Sequence, residues 1–195
     1  MILASLLLAA AAAAAAAGPG TAAPALDVKM KGVDGKETTI AQAAGTKGTL
    51  VIFTCNHCPF VKAWEERTVA LGNEALSKGL GVIAINANDP GVQPEDGFEA
   101  MQARAKERGV KYPYVVDGDS SVAKAFGATK TPEFFLLDAT GKVVYHGALD
   151  DNAREPEKVT ARYLQDAIDA LLSGKAIDVK QTKALGCSIK WKKSA

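Results

Sequence analysis

The chain has 195 residues, and its 23 basic and 22 acidic side chains leave a formal net charge of +1 at pH 7. Without a basic stripe or a long run of like charge, it lacks the electrostatic features of a nucleic-acid-binding domain. Three cysteines are too few for a disulfide scaffold, and the length suits one domain with a hydrophobic core.

The first 25 residues have the composition of a secretory signal peptide. Residues 2–17 are almost all Ala and Leu, and Ala23-Pro24-Ala25 supplies the small residues of a cleavage site. An uncleaved membrane anchor is the less favoured alternative, because the apolar stretch is short and rich in weakly apolar Ala. No Lys or Arg precedes the stretch, so the positive charge typical of a signal peptide comes only from the terminal amine. We predict a signal peptide over residues 1–25, a mature domain over residues 26–195, and a periplasmic or secreted location.

The mature chain begins with a predicted β-hairpin, in which Asp34-Gly35 separates two short extended segments, residues 28–30 and 37–39. Residues 49–54 are rich in β-branched and aromatic side chains, which predicts a buried strand. Apolar residues at helical spacing follow over residues 59–78. Cys55-Asn56-His57-Cys58 therefore lies at the turn from strand to helix.

This position suits a redox-active dithiol. Unpaired N–H groups and the positive end of the helix dipole stabilise an anion at a helix start, so a cysteine there is more acidic than a free one. We expect Cys55, on the exposed side of the turn, to be the nucleophile and Cys58 to resolve the mixed disulfide. Pro59 fits the first helical turn, where a missing N–H costs little.

Other uses of a Cys-x-x-Cys pair fit less well. A c-type haem site requires His after the second cysteine, where this chain has Pro59. A structural zinc site requires a second ligand pair, whereas His146 and Cys187 are widely separated. A purely structural disulfide stays open, although so short a ring constrains the unfolded chain little. We therefore predict redox chemistry with neither a metal nor a cofactor.

The rest of the chain continues to alternate between strand and helix patterns. The predicted strands are residues 82–86, 114–116, 134–137 and 143–145, and the predicted helices are residues 97–108, 121–126 and 163–174. A β-α-β half followed by a β-β-α half predicts an α/β or α+β layer fold with helices on both faces of one sheet, and we favour α/β.

The combination resembles the thioredoxin superfamily, because Thr131-Pro132 enters a later strand far downstream of the strand–dithiol–helix unit. Further motifs are similar to a peroxiredoxin-like branch of the redoxin family: Cys-Asn-His-Cys-Pro-Phe-Val, Pro94-Glu95-Asp96, Tyr145-His146-Gly147, Asp150-Asp151 and residues 186–191. The resemblance covers essentially the whole mature chain. It implies a thioredoxin-like fold, with a central mixed sheet, helices on both faces and an N-terminal β-hairpin.

The resemblance also implies roles for individual residues. The proline matching Pro132 is cis in such folds and packs beside the dithiol, while the preceding residue, here Thr131, offers backbone groups to an extended partner. His57 occupies the position of the histidine in sites that resemble protein disulfide isomerase, where it stabilises the thiolate and makes the disulfide more oxidising. The implied catalytic residues are thus Cys55, Cys58 and His57, and the implied substrate-binding residues are Thr131 and Pro132.

The chain departs from typical peroxiredoxins, whose pattern is Pro-x-x-x-Thr-x-x-Cys. Counted back from Cys55, the Pro and Thr positions hold Gly48 and Ile52. Counted back from Cys58, they hold Val51 and Cys55. The hydroxyl that would orient a peroxide is therefore missing in both registers. We predict an exported thiol–disulfide oxidoreductase and keep a peroxiredoxin-like, antioxidant hydroperoxide reductase as the alternative.

Two further residues have open interpretations. Cys187 is either a third redox thiol, pairing with Cys55 or a partner, or a partly buried free thiol that packs with Ile189 and Trp191, and we favour packing. We interpret His146 as a structural or surface residue. A copper chaperone, with Cys55, Cys58 and either His146 or Cys187 as ligands, is the least favoured function, because chaperones of this fold usually space the pair by three residues. The expected partners are protein or small-molecule thiols and disulfides and an electron-donor thiol protein.

Overall fold

The computed structural model describes residues 16–193. Its strands are β1 (Met30–Gly32), β2 (Glu37–Thr38), β3 (Thr49–Phe53), β4 (Gly81–Asn86), β5 (Tyr114–Val116), β6 (Lys130–Thr131), β7 (Glu133–Leu137), β8 (Val143–Gly147) and β9 (Cys187–Ser188). Its α-helices are α1 (Pro59–Ser77), α2 (Phe98–Arg108), α3 (Ser121–Phe126) and α4 (Tyr163–Leu172). Short 3₁₀ turns cover Pro94–Asp96 and Pro156–Lys158.

Seven of these strands form one mixed sheet in the order β2-β1-β5-β4-β3-β7-β8. β3, β4 and β5 run parallel, whereas β7 is antiparallel to both β3 and β8. β1 and β2 form the N-terminal hairpin, with Gly35 at a positive φ of 82° in its turn. The predicted mixed sheet and hairpin are confirmed.

Helices cover both faces because the central strands are apolar on both sides. In β3, Leu50 and Ile52 face a core that includes residues of α1, α2 and α4. Val51 and Phe53 face the opposite core, which includes residues of α3. Successive side chains of a strand point to opposite faces of the sheet, and β4 and β7 show the same alternation between the two cores. The predicted α/β layer fold is confirmed.

The first helix begins where the sequence predicts. Cys58 is its N-cap and Pro59 its first residue, where the fixed φ of proline fits and its missing N–H is not needed. The N–H of Lys62 donates to the Cys58 carbonyl oxygen at 2.9 Å, closing the first turn. The dithiol is therefore held between the end of β3 and the first turn of α1.

The segment before the hairpin packs on the domain. Ala17 and Ala23 are buried, and their N–H groups donate to the carbonyl oxygens of Phe126 at 3.0 Å and Gly141 at 2.9 Å. The predicted signal-peptide boundary at residue 25 thus follows a packed segment, and residues 1–15 of that prediction lie outside the described residues. Among residues 16–193, no helix combines the length and apolar content needed to cross a membrane.

A C-terminal segment, residues 180–192, crosses the molecule and is called the tail below. It first runs beside β8, where the N–H of Thr182 donates to the His146 carbonyl oxygen at 3.0 Å. It then forms β9, which pairs antiparallel with β6, with Cys187 opposite Thr131. Ile189 is buried, and the Lys190 N–H donates to Asn88 Oδ1 at 2.8 Å. The sequence patterns do not predict this second, two-stranded sheet.

Candidate dithiol site

The fold brings all three cysteines together. Cys55 and Cys58 are 2 % and 0 % exposed, and Cys187 is half-buried. The Cys55 and Cys58 thiols shift each other's pKa, and Cys58 Sγ lies 2.7 Å from Cys187 Sγ. Cys58 is therefore the middle member of a row of three thiols. Cys187, which we favoured as a packing residue, lies against the dithiol instead of only packing beside Ile189.

The two residues implied as a binding surface also lie at this site. The Thr131–Pro132 peptide bond is cis, as the resemblance implies. Thr131 Oγ1 lies 3.1 Å from Cys55 Sγ, and the Thr131 carbonyl oxygen lies 3.1 Å from Cys58 Sγ, so it can accept a hydrogen bond from a protonated Cys58. The backbone of Thr131 is already paired with β9. The tail thus lies where we expected an extended partner.

The pKa values of the two central cysteines move in opposite directions. The pKa of Cys58 is lowered to about 4, mainly because the Cys55 thiol donates to its sulfur, with help from the Cys187 thiol and the Val61 N–H. Cys58 is the N-cap residue of α1, although its side chain makes no capping hydrogen bond. The positive end of the helix still favours an anion there.

The pKa of the other two thiols rises. Cys55 holds its proton in the hydrogen bond to Cys58, and burial and the nearby Asp96 carboxylate further raise its pKa above the ordinary value. Burial and donation to Cys58 raise the pKa of Cys187 to about 11. The pKa values of Cys55 and Cys58 thus move in opposite directions, as they do when two neighbouring thiols share one proton.

A buried carboxylate organises the turn. Asp96 Oδ1 accepts hydrogen bonds from the N–H groups of Asn56 at 2.6 Å and His57 at 3.2 Å. Asp96 Oδ2 accepts from Asn88 Nδ2 at 2.7 Å and lies 2.6 Å from His57 Nδ1. A carboxylate with so many donors acts as an acceptor only, so Nδ1 carries the ring proton. We did not single out Asp96 as a site residue, although the Pro94-Glu95-Asp96 motif was the available signal.

His57 is held close to the reactive sulfur. Its side chain is 13 % exposed, and a ring nitrogen, an Asp96 oxygen and Cys55 Sγ lie within 4.8 Å of one another. Thiolate, imidazole and carboxylate all ligate transition metals, so these atoms could also hold an ion. The contact with Asp96 orients the ring beside Cys55, which fits the tuning role that the resemblance implies.

His146 belongs to a different contact. Its Nε2 lies 2.6 Å from Glu133 Oε1, and its ring stacks on Phe135 with centroids 4.2 Å apart. The Glu133 carboxylate also accepts from the N–H groups of Thr129 and Lys130, both at 2.9 Å. These contacts fit the structural interpretation of His146, which connects β8 to β7.

The surroundings of the Cys55 and Cys58 sulfurs differ. A cavity of about 50 Å³ is lined by Cys55 together with Asn56, Val61, Tyr114 and Pro132. It has room for a molecule of the size of water or hydrogen peroxide. Cys58 Sγ is instead in contact with Thr131 and Cys187. Cys55 thus lines a small cavity but is buried, whereas the sequence predicts that it lies on the exposed side of the turn.

Comparisons with known proteins agree with this architecture. A solved structure of an uncharacterized conserved protein from Geobacillus kaustophilus is 40% identical, with a TM-score of 0.83, and the match covers 91% of this chain and 94% of that one. A thioredoxin-like protein solved in its oxidized form is 20% identical, with a TM-score of 0.59, and covers 72% of this chain and 87% of its own. At that identity the likeness shows a common fold alone.

Two further findings concern the family. Thiol-disulfide oxidoreductase ResA from Geobacillus thermodenitrificans is 28% identical over 131 residues, which are 64% of this chain and 66% of the relative. This chain thus spans just under two thirds of that relative's length. The Redoxin family model matches residues 18–164, which include β1 to β8 and the dithiol. This chain therefore belongs to the redoxin family and has the thioredoxin-like fold.

Proposed function

We propose that this chain is a thiol–disulfide oxidoreductase that works through Cys55 and Cys58. The carrying observation is the hydrogen-bonded, buried pair in which Cys58 has a pKa of about 4. A thiolate is the reactive form in disulfide exchange, so a pair that keeps one charge at neutral pH is prepared for it. The name of the 28% identical relative, a thiol-disulfide oxidoreductase, supports the same activity.

In the first proposed step, Cys55 attacks a substrate disulfide. Cys55 faces the cavity, and its proton passes to the Cys58 thiolate along the existing hydrogen bond. A bond forms between Cys55 and one substrate sulfur, and the other substrate sulfur leaves as a thiolate. The resulting protein carries a mixed disulfide on Cys55 and a protonated Cys58, which can donate to the Thr131 carbonyl oxygen.

In the second proposed step, Cys58 attacks Cys55 within the mixed disulfide. The Cys55–Cys58 bond forms, and the remaining substrate sulfur leaves with the proton of Cys58 as a thiol. His57, oriented by Asp96, supplies a polar group beside Cys55 while charge moves between the sulfurs. Thr131 and Pro132 border the site at which a substrate would approach.

The test is disulfide exchange with insulin and dithiothreitol, measured for the wild type, Cys55→Ser and Cys58→Ser. We expect both variants to lose turnover by about 100-fold or more, since each lacks one of the two sulfurs that must bond. Cys58→Ser should also accumulate a mixed disulfide on Cys55, visible by mass spectrometry. Undiminished turnover in Cys55→Ser would contradict the proposal.

The cavity beside Cys55 favours one second candidate, a peroxiredoxin-like hydroperoxide reductase, because its volume suits hydrogen peroxide. The sequence speaks against it, because counted back from either cysteine it lacks the Pro and Thr of the typical peroxiredoxin pattern. Stopped-flow consumption of hydrogen peroxide by the reduced protein tests this candidate.

The copper-chaperone alternative predicts stoichiometric retention of Cu(I) against a competing chelator.

We further propose that the protein acts outside the cytoplasm, after removal of an N-terminal signal peptide. The Ala- and Leu-rich start of the sequence supports this location. Its partners would be protein or small-molecule disulfides and a thiol protein that donates electrons.

A further inference from the structure

The tail occupies the backbone groups beside the dithiol. Cys187 pairs with Thr131, and the Ile189 N–H donates to the Thr129 carbonyl oxygen at 3.0 Å. Gly186 passes so close that a Cβ there would collide with the Thr131 carbonyl oxygen. Only glycine permits this approach, so the sequence is adapted to bring the next residue, Cys187, to the site.

The sulfur atoms are positioned for exchange. Cys187 Sγ is 2.7 Å from Cys58 Sγ, well inside the contact distance of two sulfurs, while Cys58 is also hydrogen-bonded to Cys55. Cys58 therefore has two thiol neighbours, one from its own turn and one from the tail. A cysteine that only fills space in the core can pack against carbon atoms. It has no need of contact with a second sulfur.

We propose that Cys187 is a third redox-active thiol that forms a disulfide with Cys58 and so closes the tail over Thr131. The proposal rests on the proposed function, because it starts from the Cys55–Cys58 disulfide which that function generates. The Cys187 sulfur attacks Cys58 Sγ, the Cys55–Cys58 bond breaks, and Cys55 leaves with the electron pair. The proton lost by Cys187 is taken up by Cys55, so the exchange involves no net oxidation.

The two disulfide isomers differ in what they expose. The Cys55–Cys58 isomer leaves the tail held only by hydrogen bonds and the burial of Ile189. The Cys58–Cys187 isomer fixes β9 to the dithiol covalently and returns Cys55 to the thiol form beside its cavity. The tail would then be held over Thr131 by non-covalent contacts alone or also by a covalent bond, according to which isomer is present.

The first test uses Cys55→Ala, which retains only Cys58 and Cys187. After reduction and treatment with diamide, we expect an intramolecular Cys58–Cys187 disulfide in the monomer, identified by peptide mass mapping. Cys187→Ala is the control for disulfide formation and should form Cys55–Cys58, identified by the same mapping. If Cys55→Ala gives only free thiols or intermolecular products while the control behaves as expected, the inference fails and the proposed function stands. If Cys187→Ala forms no disulfide and has no turnover, the proposed function fails as well.

The second test keeps all three cysteines and changes the approach of the tail. Gly186→Ala introduces the collision with Thr131, whereas Gly118→Ala, with no atom within 4 Å of its Cβ, is the matched control. The proteins are equilibrated in glutathione buffers, quenched in acid, alkylated and mapped. We expect Cys58–Cys187 to be present in Gly118→Ala and to fall by about tenfold in Gly186→Ala, with Cys55–Cys58 retained in both. Equal yields in the two variants would overturn the role of the tail.

Discussion

The charge at the dithiol depends on a few hydrogen-bond donors around one atom. The neighbouring Cys55 and Cys187 thiols and the first turn of α1 lower the pKa of Cys58, and together they overcome the effect of burial. Stabilising a thiolate stabilises the reduced protein, which makes the corresponding disulfide a stronger oxidant. The direction of electron flow is therefore influenced by the tail, because Cys187 is one of these donors.

The pKa of Cys58 predicts how the reduction potential varies with pH. Above pH 5 the reduced pair should keep one proton, because Cys58 is ionised while the raised pKa of Cys55 keeps that thiol protonated. One proton taken up per two electrons lowers the potential by about 30 mV per pH unit, whereas two protons would lower it by about 59 mV. We expect the smaller slope from pH 5 to 8 in glutathione equilibria.

Cys187→Ala provides the comparison for this slope. It removes one donor to Cys58, so the pKa of Cys58 should rise, and the pH at which the slope changes should rise with it. Thiolate absorbance at 240 nm follows the same ionisation independently. A wild-type slope near the two-proton value across the whole range would show that Cys58 is not the acidic thiol.

At the residue scale, sequence reasoning located the site but not its charge. The strand–helix context identified Cys55 and Cys58, and the resemblance identified Thr131 and Pro132, which lie beside them. Asp96 was not identified, because its contacts with Asn56 and His57 span about 40 residues and many other acids occur in the chain. Which sulfur is ionised depends on donors from separate segments, and no local pattern specifies these.

Among the elements, α1 is anchored at a second point away from the dithiol. Trp64 Nε1 donates to Asp150 Oδ1 at 2.7 Å, and the Arg67 guanidinium pairs with Asp150 Oδ2. Arg67 also donates to the carbonyl oxygens of Asn152 at 3.0 Å and Ala153 at 2.8 Å. Because Asp150 is buried, these bonds fix the helix that carries Cys58 against the segment after β8.

Adjacent acids allow this anchor to be tested. Asp150→Ala should lower the free energy of unfolding by about 3–5 kcal/mol, because it leaves the Arg67 charge and the Trp64 N–H without their buried partner. Asp151→Ala is the control, since Asp151 is exposed and should cost about 1 kcal/mol or less. Urea denaturation monitored by tryptophan fluorescence measures both. Similar losses in the two variants would show that Asp150 is not an anchor.

The elements differ in how far sequence predicts them. The predicted bounds of β3, β5, α1 and α3 lie within about a residue of the structure, because their apolar periodicity and flanking Pro or Gly residues are local signals. β6 and β9 have two residues each and pair across more than 50 positions. Their pairing depends on Gly186 and on the burial of Ile189, which become evident only in the folded chain.

At the scale of the whole molecule, both ends of the described chain pack on the domain. Near the N-terminus, Ala17 and Ala23 contribute to the core that α3 covers. This packing predicts that a protein beginning at residue 26 is less stable than one beginning at residue 17. We expect a difference of about 1–3 kcal/mol, because the shorter chain loses two buried side chains and several backbone hydrogen bonds.

Urea denaturation of the two truncated proteins, both starting with an added Met, measures this difference. Equal stability would show that residues 17–25 are dispensable and would suit a processing site at residue 25. A clear loss would favour processing nearer residue 17. In either case the fold of residues 26–193 can be checked by circular dichroism.

Residues 180–182 cover the outer edge of β8, and this protects the protein against self-association. An outermost strand with free backbone groups invites pairing with another copy of the chain. Here β8 is shielded by the chain's own residues, and the opposite border, β2, has only two residues. If the tail moves away from the dithiol, the moving part must therefore begin after Thr182. Displacement of residues 180–182 as well would expose the edge of β8 and promote aggregation.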